Sequence, residues 1–360
     1  MKVHRGEIQL GCIVAEDIMG MTANPIISKN TVIEEEHLNI LQAFHITELV
    51  IEKTKADGHP FRAQVSIEKE IVDEEINEPV GFIDLYLMTI KEFKKEFMNW
   101  QSGTSVNVAR VRELMLPVIK TVQENHTYVY SLHQYCTKKD YLFHHAISVG
   151  IISAMLGKKL GLNPGQVNQL ALAGVLADCG MAKVSPHILT KEQPLTESEF
   201  KEVKLHTANG YKMVKDTPLL KTETKLAIFQ HHERFDGTGY PASEKDNRIH
   251  LYSQIVGIAD VFHAMTSEKI YRSKQPVFKV LDMISEDLFG KFDIKVVNGL
   301  LQLLGDLRTG TSVMLSTGQY GEVMYTKPNA FTKPIVKINE TEELVDLSQQ
   351  KEIYISEVFA

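Results

Sequence analysis

Cysteine is scarce in this chain, and the few copies present exclude a disulfide framework. The 360 residues contain three cysteines, Cys12, Cys136 and Cys179, which are odd in number and far apart. They form neither a set of paired bridges nor a C-x-x-C motif. This usage is typical of a reducing compartment, so a cytoplasmic location is expected.

Long apolar runs and an excess of positive charge are absent as well. The longest apolar run, residues 146–157, ends at Lys158 and Lys159 and is too short to cross a bilayer. With 39 Lys and Arg against 46 Asp and Glu, the formal net charge is −7. Such a surface repels polyanions, so we expect no DNA binding. The short apolar run predicts that the chain has no membrane span. A small phosphate ligand stays compatible, because a pocket needs only a few local donors or a metal.

Hydrophobic patterning divides the chain into four regions. Residues 1–55 alternate strands with one short helix and predict a small α+β domain. Residues 56–110 contain a charged linker and then an amphipathic helix, and residues 111–305 are helical throughout. Residues 306–360 alternate in short runs, which predict a small β-barrel-like domain. The expected fold class is therefore mainly α, with a helical bundle between two small flanking domains.

The amphipathic helix of the second region has a strongly apolar stripe. Its members recur every three or four residues: Tyr86, Ile90, Phe93, Phe97 and Trp100. A membrane or a cofactor could use such a stripe, but a packed helix–helix seam is the more common explanation. A homodimer interface is one form that this seam can take.

Capping signals place two helix starts in the third region. Asn163 and Pro164 are typical of the N-cap and of the first helical position. Residues 196–199 have the T-x-x-E form of a capping box. The helix that begins there leads towards His206.

Histidine and aspartate side chains in the third region are the candidates for chemistry. Singly, a helical histidine is more often a surface or core residue than a ligand. A group of imidazoles and carboxylates, however, is what a pair of borderline divalent ions such as Mn, Fe or Zn prefers. Two such ions about 3.5–4 Å apart can activate water and bind a phosphodiester. The candidate ligands are His145, Asp178, His206, His231, His232 and Asp260.

The segment 231–241, with the sequence HHERFDGTGYP, is specific enough to indicate a family. It resembles the HHExxDGxGYP signature of the HD-GYP branch of the HD-domain phosphohydrolases. The similarity covers residues 114–304 and implies an HD-domain helical bundle. Other landmarks follow in the family's order: His145 in a D-Y-x-x-x-H context, Asp178 of the HD pair, Lys191 with Leu195-Thr196, His206 with Gly210, Asp260, and Tyr271-Arg272.

This resemblance implies hydrolysis of the bacterial messenger cyclic di-GMP to pGpG or GMP by metal-activated water. It implies one or two divalent transition ions per chain (Fe, Mn or Zn). The expected protein partners are a second copy of this chain, as a homodimer, and diguanylate cyclase (GGDEF) proteins. One ion would be held by His145, Asp178 and Asp260, and Asp178 would bridge to a second ion at His206, His231 and His232. The implied substrate-binding residues are Gly239, Tyr240 and Pro241 at the lip of the pocket, and Arg272.

The chain departs from the family at the HD pair itself. Ala177 stands where the histidine is expected, and an alanine cannot bind metal. Met181 stands where a lysine near the substrate phosphate is usual, with Lys183 two positions further on. Asp178 and Lys183 are the candidate catalytic residues. His263 is a possible compensating ligand because it lies three residues after Asp260, although a supporting role is the alternative.

Three functions therefore follow from the sequence. The first is a cyclic di-GMP phosphodiesterase with one firm and one weak metal site, and with reduced activity. The second is a degenerate domain that binds cyclic di-GMP or docks on a partner without turnover. Ala177 and Met181 favour the second function. A structural dimer that uses the apolar stripe is the third, but it assigns no role to the histidines.

Overall fold

A computed structural model places thirteen α-helices and nine β-strands in the described part of the chain. The described residues are 1–19, 25–44, 46, 48–62, 81–268, 274–286, 290–328, 330–350 and 352–359. The helices are α1 (Glu35–Ala43), α2 (Phe82–Gln101), α3 (Val108–Glu124), α4 (Tyr128–Ser131), α5 (Tyr141–Lys159), α6 (Pro164–Leu176), α7 (Pro186–Leu189), α8 (Glu197–Lys204), α9 (His206–Val214), α10 (Thr222–Gln230), α11 (Leu251–Thr266), α12 (Val277–Glu286) and α13 (Ile294–Leu304). The strands are β1 (Lys2–His4), β2 (Ile18–Met19), β3 (Pro25–Ile27), β4 (Glu48–Val50), β5 (Ser312–Leu315), β6 (Tyr320–Lys327), β7 (Ala330–Ile338), β8 (Leu344–Asp346) and β9 (Ile355–Phe359).

The N-terminal part is a small α+β unit, as the sequence predicts. Strand β1 pairs antiparallel with β4, and β2 pairs antiparallel with β3. Between β1 and β2, isolated bridges join Ile13 to Val32 and Val14 to Ile51. Buried side chains from these strands and α1 form a compact apolar cluster.

The helical centre is built on the close contact of α5 with α6. A Cβ added to Gly174 of α6 would lie 2.7 Å from the Cα of Gly150 of α5, so glycine is needed for the two backbones to approach. The predicted start of α6 is confirmed: Asn163 and Gln166 form a capping box, and Pro164 is the first helical residue. This packing fixes α5 relative to the C-terminal end of α6.

The apolar stripe of α2 is buried inside the chain. The ring of Trp100 has no exposed surface, and Phe97 packs edge-on against Phe143 of α5 with ring centroids 5.6 Å apart. The expectation of a helix–helix seam is thus confirmed, but the seam is internal. A dimer that uses this stripe is wrong, since α3 and α5 already cover it.

The C-terminal region is an open antiparallel sheet with the strand order β8-β7-β6-β5-β9. The prediction of a barrel is wrong, because within the described residues the edge strands β8 and β9 do not pair with each other. Helices α12 and α13 pack against the sheet instead. Asp282 of α12, for example, accepts a hydrogen bond from Thr332 and pairs with Lys333 at 2.9 Å.

The domain boundaries at residues 55, 110 and 305 stay predictions. One continuous apolar core runs from side chains of the N-terminal part, such as Ile13, through α2 and the helical centre to Ile355 of β9.

None of the described helices combines the length and the apolar content needed to cross a bilayer.

Candidate metal centre

Four side chains at helix ends meet in the helical centre. Asp178 is the second residue after α6, His206 is the first residue of α9, and His231 and His232 directly follow α10. One potential ligand atom from each lies within 4.8 Å of the others. Helix ends suit this purpose, because the chain turns there and can bring side chains from separate segments to one point.

Gly180 makes the approach of Asp178 to His206 possible. The short 3-10 helix after Asp178, Cys179–Lys183, lies against α9. A Cβ at Gly180 would meet the carbonyl oxygen of His206 at 1.9 Å, so any larger residue would push the two segments apart. A glycine two residues after the aspartate is therefore a requirement of the site.

Backbone carbonyls fix the two most deeply buried imidazoles. Nδ1 of His206 donates to the carbonyl of Val203 at 2.7 Å, and Nδ1 of His231 donates to the carbonyl of Ile228 at 3.0 Å. Since a carbonyl only accepts, each Nδ1 carries a proton, which leaves Nε2 free to coordinate. The two Nε2 atoms lie 3.2 Å apart.

The carboxylate of Asp178 faces both sides of the cluster. Its Oδ1 lies 3.2 Å from Nε2 of His206 and 3.7 Å from Nε2 of His231, and its Oδ2 lies 3.7 Å from Nε2 of His145. Burial raises the pKa of Asp178, but the neighbouring imidazoles of His206 and His231 outweigh burial and hold that pKa well below its usual value. An ionised carboxylate with its two oxygens towards different imidazoles is suited to bridge two cations.

His145 and Asp260 form the second side of the cluster. Nε2 of His145, on α5, lies 2.8 Å from Oδ1 of Asp260, on α11. The other oxygen of Asp260 lies 3.7 Å from Nδ1 of His232. Burial raises the pKa of Asp260, but His145 and then His232 lower it below its ordinary value. Burial and the neighbouring His231 lower the pKa of His232, so this imidazole is neutral and can coordinate.

Neighbouring side chains contact Nδ1 of His145, the ring nitrogen that does not face Asp260. Its Nδ1 lies 3.0 Å from Nδ1 of His263 and 3.2 Å from the hydroxyl of Tyr141, and Oγ of Ser267 lies 3.2 Å from Nε2 of His263. When Nε2 of His145 coordinates an ion, its Nδ1 carries the proton and can donate to His263. The structure thus brings His263 to the back of a candidate ligand, on the side away from Asp178 and Asp260.

A loop after the histidine pair covers the cluster. The ring of Tyr240 lies 4.7 Å from the ring of His232, and its backbone N–H donates to the carbonyl of His232. Gly239 precedes it and Pro241 follows through a cis peptide. The buried carboxylate of Glu233 accepts from the N–H groups of Ala242 at 2.6 Å and Glu244 at 3.1 Å, which anchors the loop.

The remaining candidates lie elsewhere or outside the described residues. Nζ of Lys183 donates to the carbonyl of Trp100 at 2.9 Å, and Lys183 is exposed. Ala177 is buried, and Met181 packs against the apolar core. Arg272, with Tyr271, lies outside the described residues.

Sequence reasoning did not identify Glu233 or Tyr141 as parts of the site. Glu233 stands directly after the histidine pair in the signature, and Tyr141 stands one helical turn before His145. Their positions beside candidate ligands were the available signal. Their contacts, however, depend on how the loop folds back and how α5 is rotated.

The residues present fit divalent transition ions. Three imidazoles and one carboxylate converge with coordinating atoms free, and His145 and Asp260 adjoin them. Borderline ions such as Mn, Fe and Zn accept mixed nitrogen and oxygen ligands of this kind. The donor set does not distinguish between these metals.

The chain is similar to a known domain family and to several known phosphodiesterases. The HD domain family matches residues 134–296. The chain is 28% identical over 242 residues to cyclic di-GMP phosphodiesterase PA4108 of Pseudomonas aeruginosa, which covers 67% of this chain and 58% of the relative. It is 33% identical over 162 residues to a cyclic di-GMP phosphodiesterase of Thermotoga maritima, covering 44% of each. With 3'3'-cGAMP-specific phosphodiesterase 3 of Vibrio cholerae it shares 31% identity over 156 residues, 43% of this chain and 34% of the relative.

The chain thus spans less than two thirds of these relatives. Among solved structures, Bd1817, an HDG"Y"P protein from Bdellovibrio bacteriovorus, has a TM-score of 0.52 at 14% identity and covers 83% of this chain and 97% of its own. This likeness concerns the fold alone. Residues 134–296 therefore form an HD domain, and within it the segment 231–241 matches the HD-GYP signature.

Proposed function

We propose that this protein is a metal-dependent phosphodiesterase that hydrolyses cyclic di-GMP to pGpG and on to GMP in bacterial signalling. The observation that carries the proposal is the convergence of Asp178, His206, His231 and His232 within 4.8 Å, with His145 and Asp260 beside them. The names of two of the relatives support cyclic di-GMP as the substrate, and the name of a third supports the wider class of cyclic dinucleotides.

The chain's own residues hold and orient the reacting groups. Bound divalent ions supply polarisation of the phosphate and a lowered pKa of water. His206 and His231 present fixed Nε2 atoms, and Asp178 presents one oxygen to each side. Tyr240 and its neighbours restrict access to the face of His232. We assign to Gly239, Tyr240 and Pro241, and to Arg272, contacts with the substrate.

The two sides of the centre differ in strength. We propose a firm ion at His206, His231, His232 and Asp178, and a weaker ion at His145, Asp178 and Asp260. The weaker side lacks the imidazole that Ala177 replaces. Lys183 as a catalytic residue stays a prediction, and its ammonium would first have to leave the carbonyl of Trp100.

A receptor without turnover is the second candidate, and two residues favour it. The side chain of Ala177 offers no ligand, and Met181 offers no charge to a phosphate. Such a protein would bind cyclic di-GMP or dock on a diguanylate cyclase. Homodimer formation and the cytoplasmic location also stay predictions.

Incubation of the purified chain with cyclic di-GMP and Mn²⁺ or Fe²⁺, followed by chromatography, decides between the two. The phosphodiesterase proposal expects pGpG or GMP, and it expects Asp178→Asn to abolish both products. Asp216→Asn, at an exposed position, is the matched control and should behave as the unaltered protein. Binding of cyclic di-GMP without either product would establish the receptor.

A further inference from the structure

Lys204 lies at the edge of the metal centre, between two aromatic rings. Its Nζ is 4.9 Å from the ring centroid of Phe200, one turn earlier on α8, and 5.1 Å from that of Tyr240. Contacts of this kind attract an ammonium group to the ring faces without neutralising its charge. The side chain is half-buried, and its two ring contacts come from α8 itself and from the loop that carries Tyr240.

Tyr240 connects this ammonium to the candidate ligands. The ring of Tyr240 lies 4.7 Å from that of His232 and 6.4 Å from that of His206. The distance from Nζ of Lys204 to the ring centroid of His232 therefore cannot exceed the 5.1 Å to Tyr240 and the 4.7 Å from Tyr240 to His232 taken together. That limit places the charge beside the metal centre.

Lys204 has no acidic partner in the described part of the chain, in contrast to other lysines nearby. Lys201, one turn earlier on α8, pairs with Glu197 at 2.7 Å, and Lys191 pairs with Glu199 at 2.6 Å. In a chain with a net charge of −7, an unpaired cation at the mouth of a phosphate site is available to an anionic ligand.

We propose that Lys204 binds the phosphate of the cyclic dinucleotide that is not at the metal centre. This inference rests on the proposed function and deepens it. A cyclic dinucleotide has two phosphodiesters separated by a ribose, so one can lie at the ions while the other needs a separate cation. Met181 supplies none, and the ammonium of Lys183 donates to Trp100. Lys204 supplies that charge and selects substrates with a second phosphate.

Kinetics on two substrates test this assignment. Lys204→Met keeps the side-chain length and the contact with the rings but removes the charge. We expect it to raise KM for cyclic di-GMP about tenfold or more, as befits loss of a charged hydrogen bond, while kcat changes little. Hydrolysis of bis(p-nitrophenyl) phosphate, which has a single phosphodiester, should not change. Lys204→Arg should restore most of the affinity, and Lys201→Met is the matched control on the same helix.

Equilibrium binding provides a readout that does not depend on turnover. Calorimetry should show a dissociation constant for cyclic di-GMP that rises about tenfold in Lys204→Met and that depends less on salt than in the unaltered chain. Equal losses on both substrates would place Lys204 at the metal centre and overturn the assignment. Unchanged binding and KM would also overturn it, while the proposed function would stand. If the unaltered chain neither binds nor hydrolyses cyclic di-GMP, the proposed function fails and the role of Lys204 with it.

Discussion

The two sides of the metal centre are held in different ways. On one side, the imidazoles of His206 and His231 donate to backbone carbonyls at 2.7 and 3.0 Å. On the other, His145 is held by the side chains of Tyr141 and His263. The family resemblance assigns the missing histidine, at Ala177, to this second side.

This difference shows where the centre can tolerate change. A carbonyl partner is present whatever side chain its residue carries, so the orientation of these two imidazoles depends on helix ends that the core already fixes and not on neighbouring side chains. The second side depends on side chains, each of which a single substitution can remove. We therefore expect the first side to determine whether an ion is held at all, and the second to determine how much activity results.

Two variants, each lacking one imidazole from a different side of the metal centre, should show the largest difference in bound metal. His206→Ala should abolish the firmly held ion and lower the phosphodiesterase rate about 10³-fold or more, because the main stabiliser of phosphate charge is lost. His145→Ala should leave the firm ion in place. Elemental analysis of purified protein measures the metal content of both variants. His187→Ala, at an exposed position, is the control. Loss of all metal in His145→Ala would show that the two sides are not independent.

Truncation of His263 tests how the weaker side is held. If His263 orients His145, His263→Ala should weaken the second ion about 10- to 100-fold, the range for partners behind metal-bound histidines. His263→Asn should retain most of the affinity, because its amide oxygen can still accept from Nδ1 of His145 while being a poor ligand for transition ions. Titration of the metal-free protein with Mn²⁺ measures this. Equal losses in both variants would instead favour His263 as a compensating ligand.

Restoration of the family's residues should strengthen the same side. We expect Ala177→His together with Met181→Lys to raise turnover of cyclic di-GMP at least about tenfold, or about 1.4 kcal/mol in the barrier. Steady-state kinetics at saturating metal, with each single variant beside the double, measure the gain. No gain would mean that another residue already compensates or that the pocket is inert.

Much of the fold was accessible from the sequence where local chemistry decides the structure. The cap at Asn163 and the capping box of Thr196 and Glu199 are confirmed, since they depend on residues three positions apart. The alternation of residues 306–360 correctly predicted strands there, such as β5, although Leu344–Asp346, which forms β8, is too brief to show alternation. The barrel and the dimer seam were wrong because alternation and stripes identify an apolar face without specifying what covers it.

The candidate site was accessible because its residues occur in a recognisable order, and the spacing from Asp260 also singled out His263, but the partners of the supporting residues were not accessible. The signature at residues 231–241 indicated the histidine pair and the loop. The contact between His145 and His263 joins α5 to α11 across more than a hundred residues, so it depends on packing that no local pattern specifies. The same holds for Lys204, whose ring partner Tyr240 comes from another segment.

The pH dependence of the free energy of unfolding tests His144, the residue next to His145. It has the smallest expected effect of these predictions. His144 has no exposed surface, and burial lowers its pKa to about 4 from an ordinary 6.5. The unfolded chain therefore takes up a proton below pH 6.5 that the folded chain refuses, so stability is full above pH 6.5 and falls as the pH decreases towards 4. In chelator-treated protein, denaturant unfolding should lose about 1 kcal/mol more between pH 7 and pH 5.5 in the unaltered chain than in His144→Phe. His187→Phe, at an exposed position, should keep the full pH dependence. Equal slopes in all three proteins would mean that His144 accepts a proton in the folded state, and that the interior beside His145 is more polar than its burial indicates.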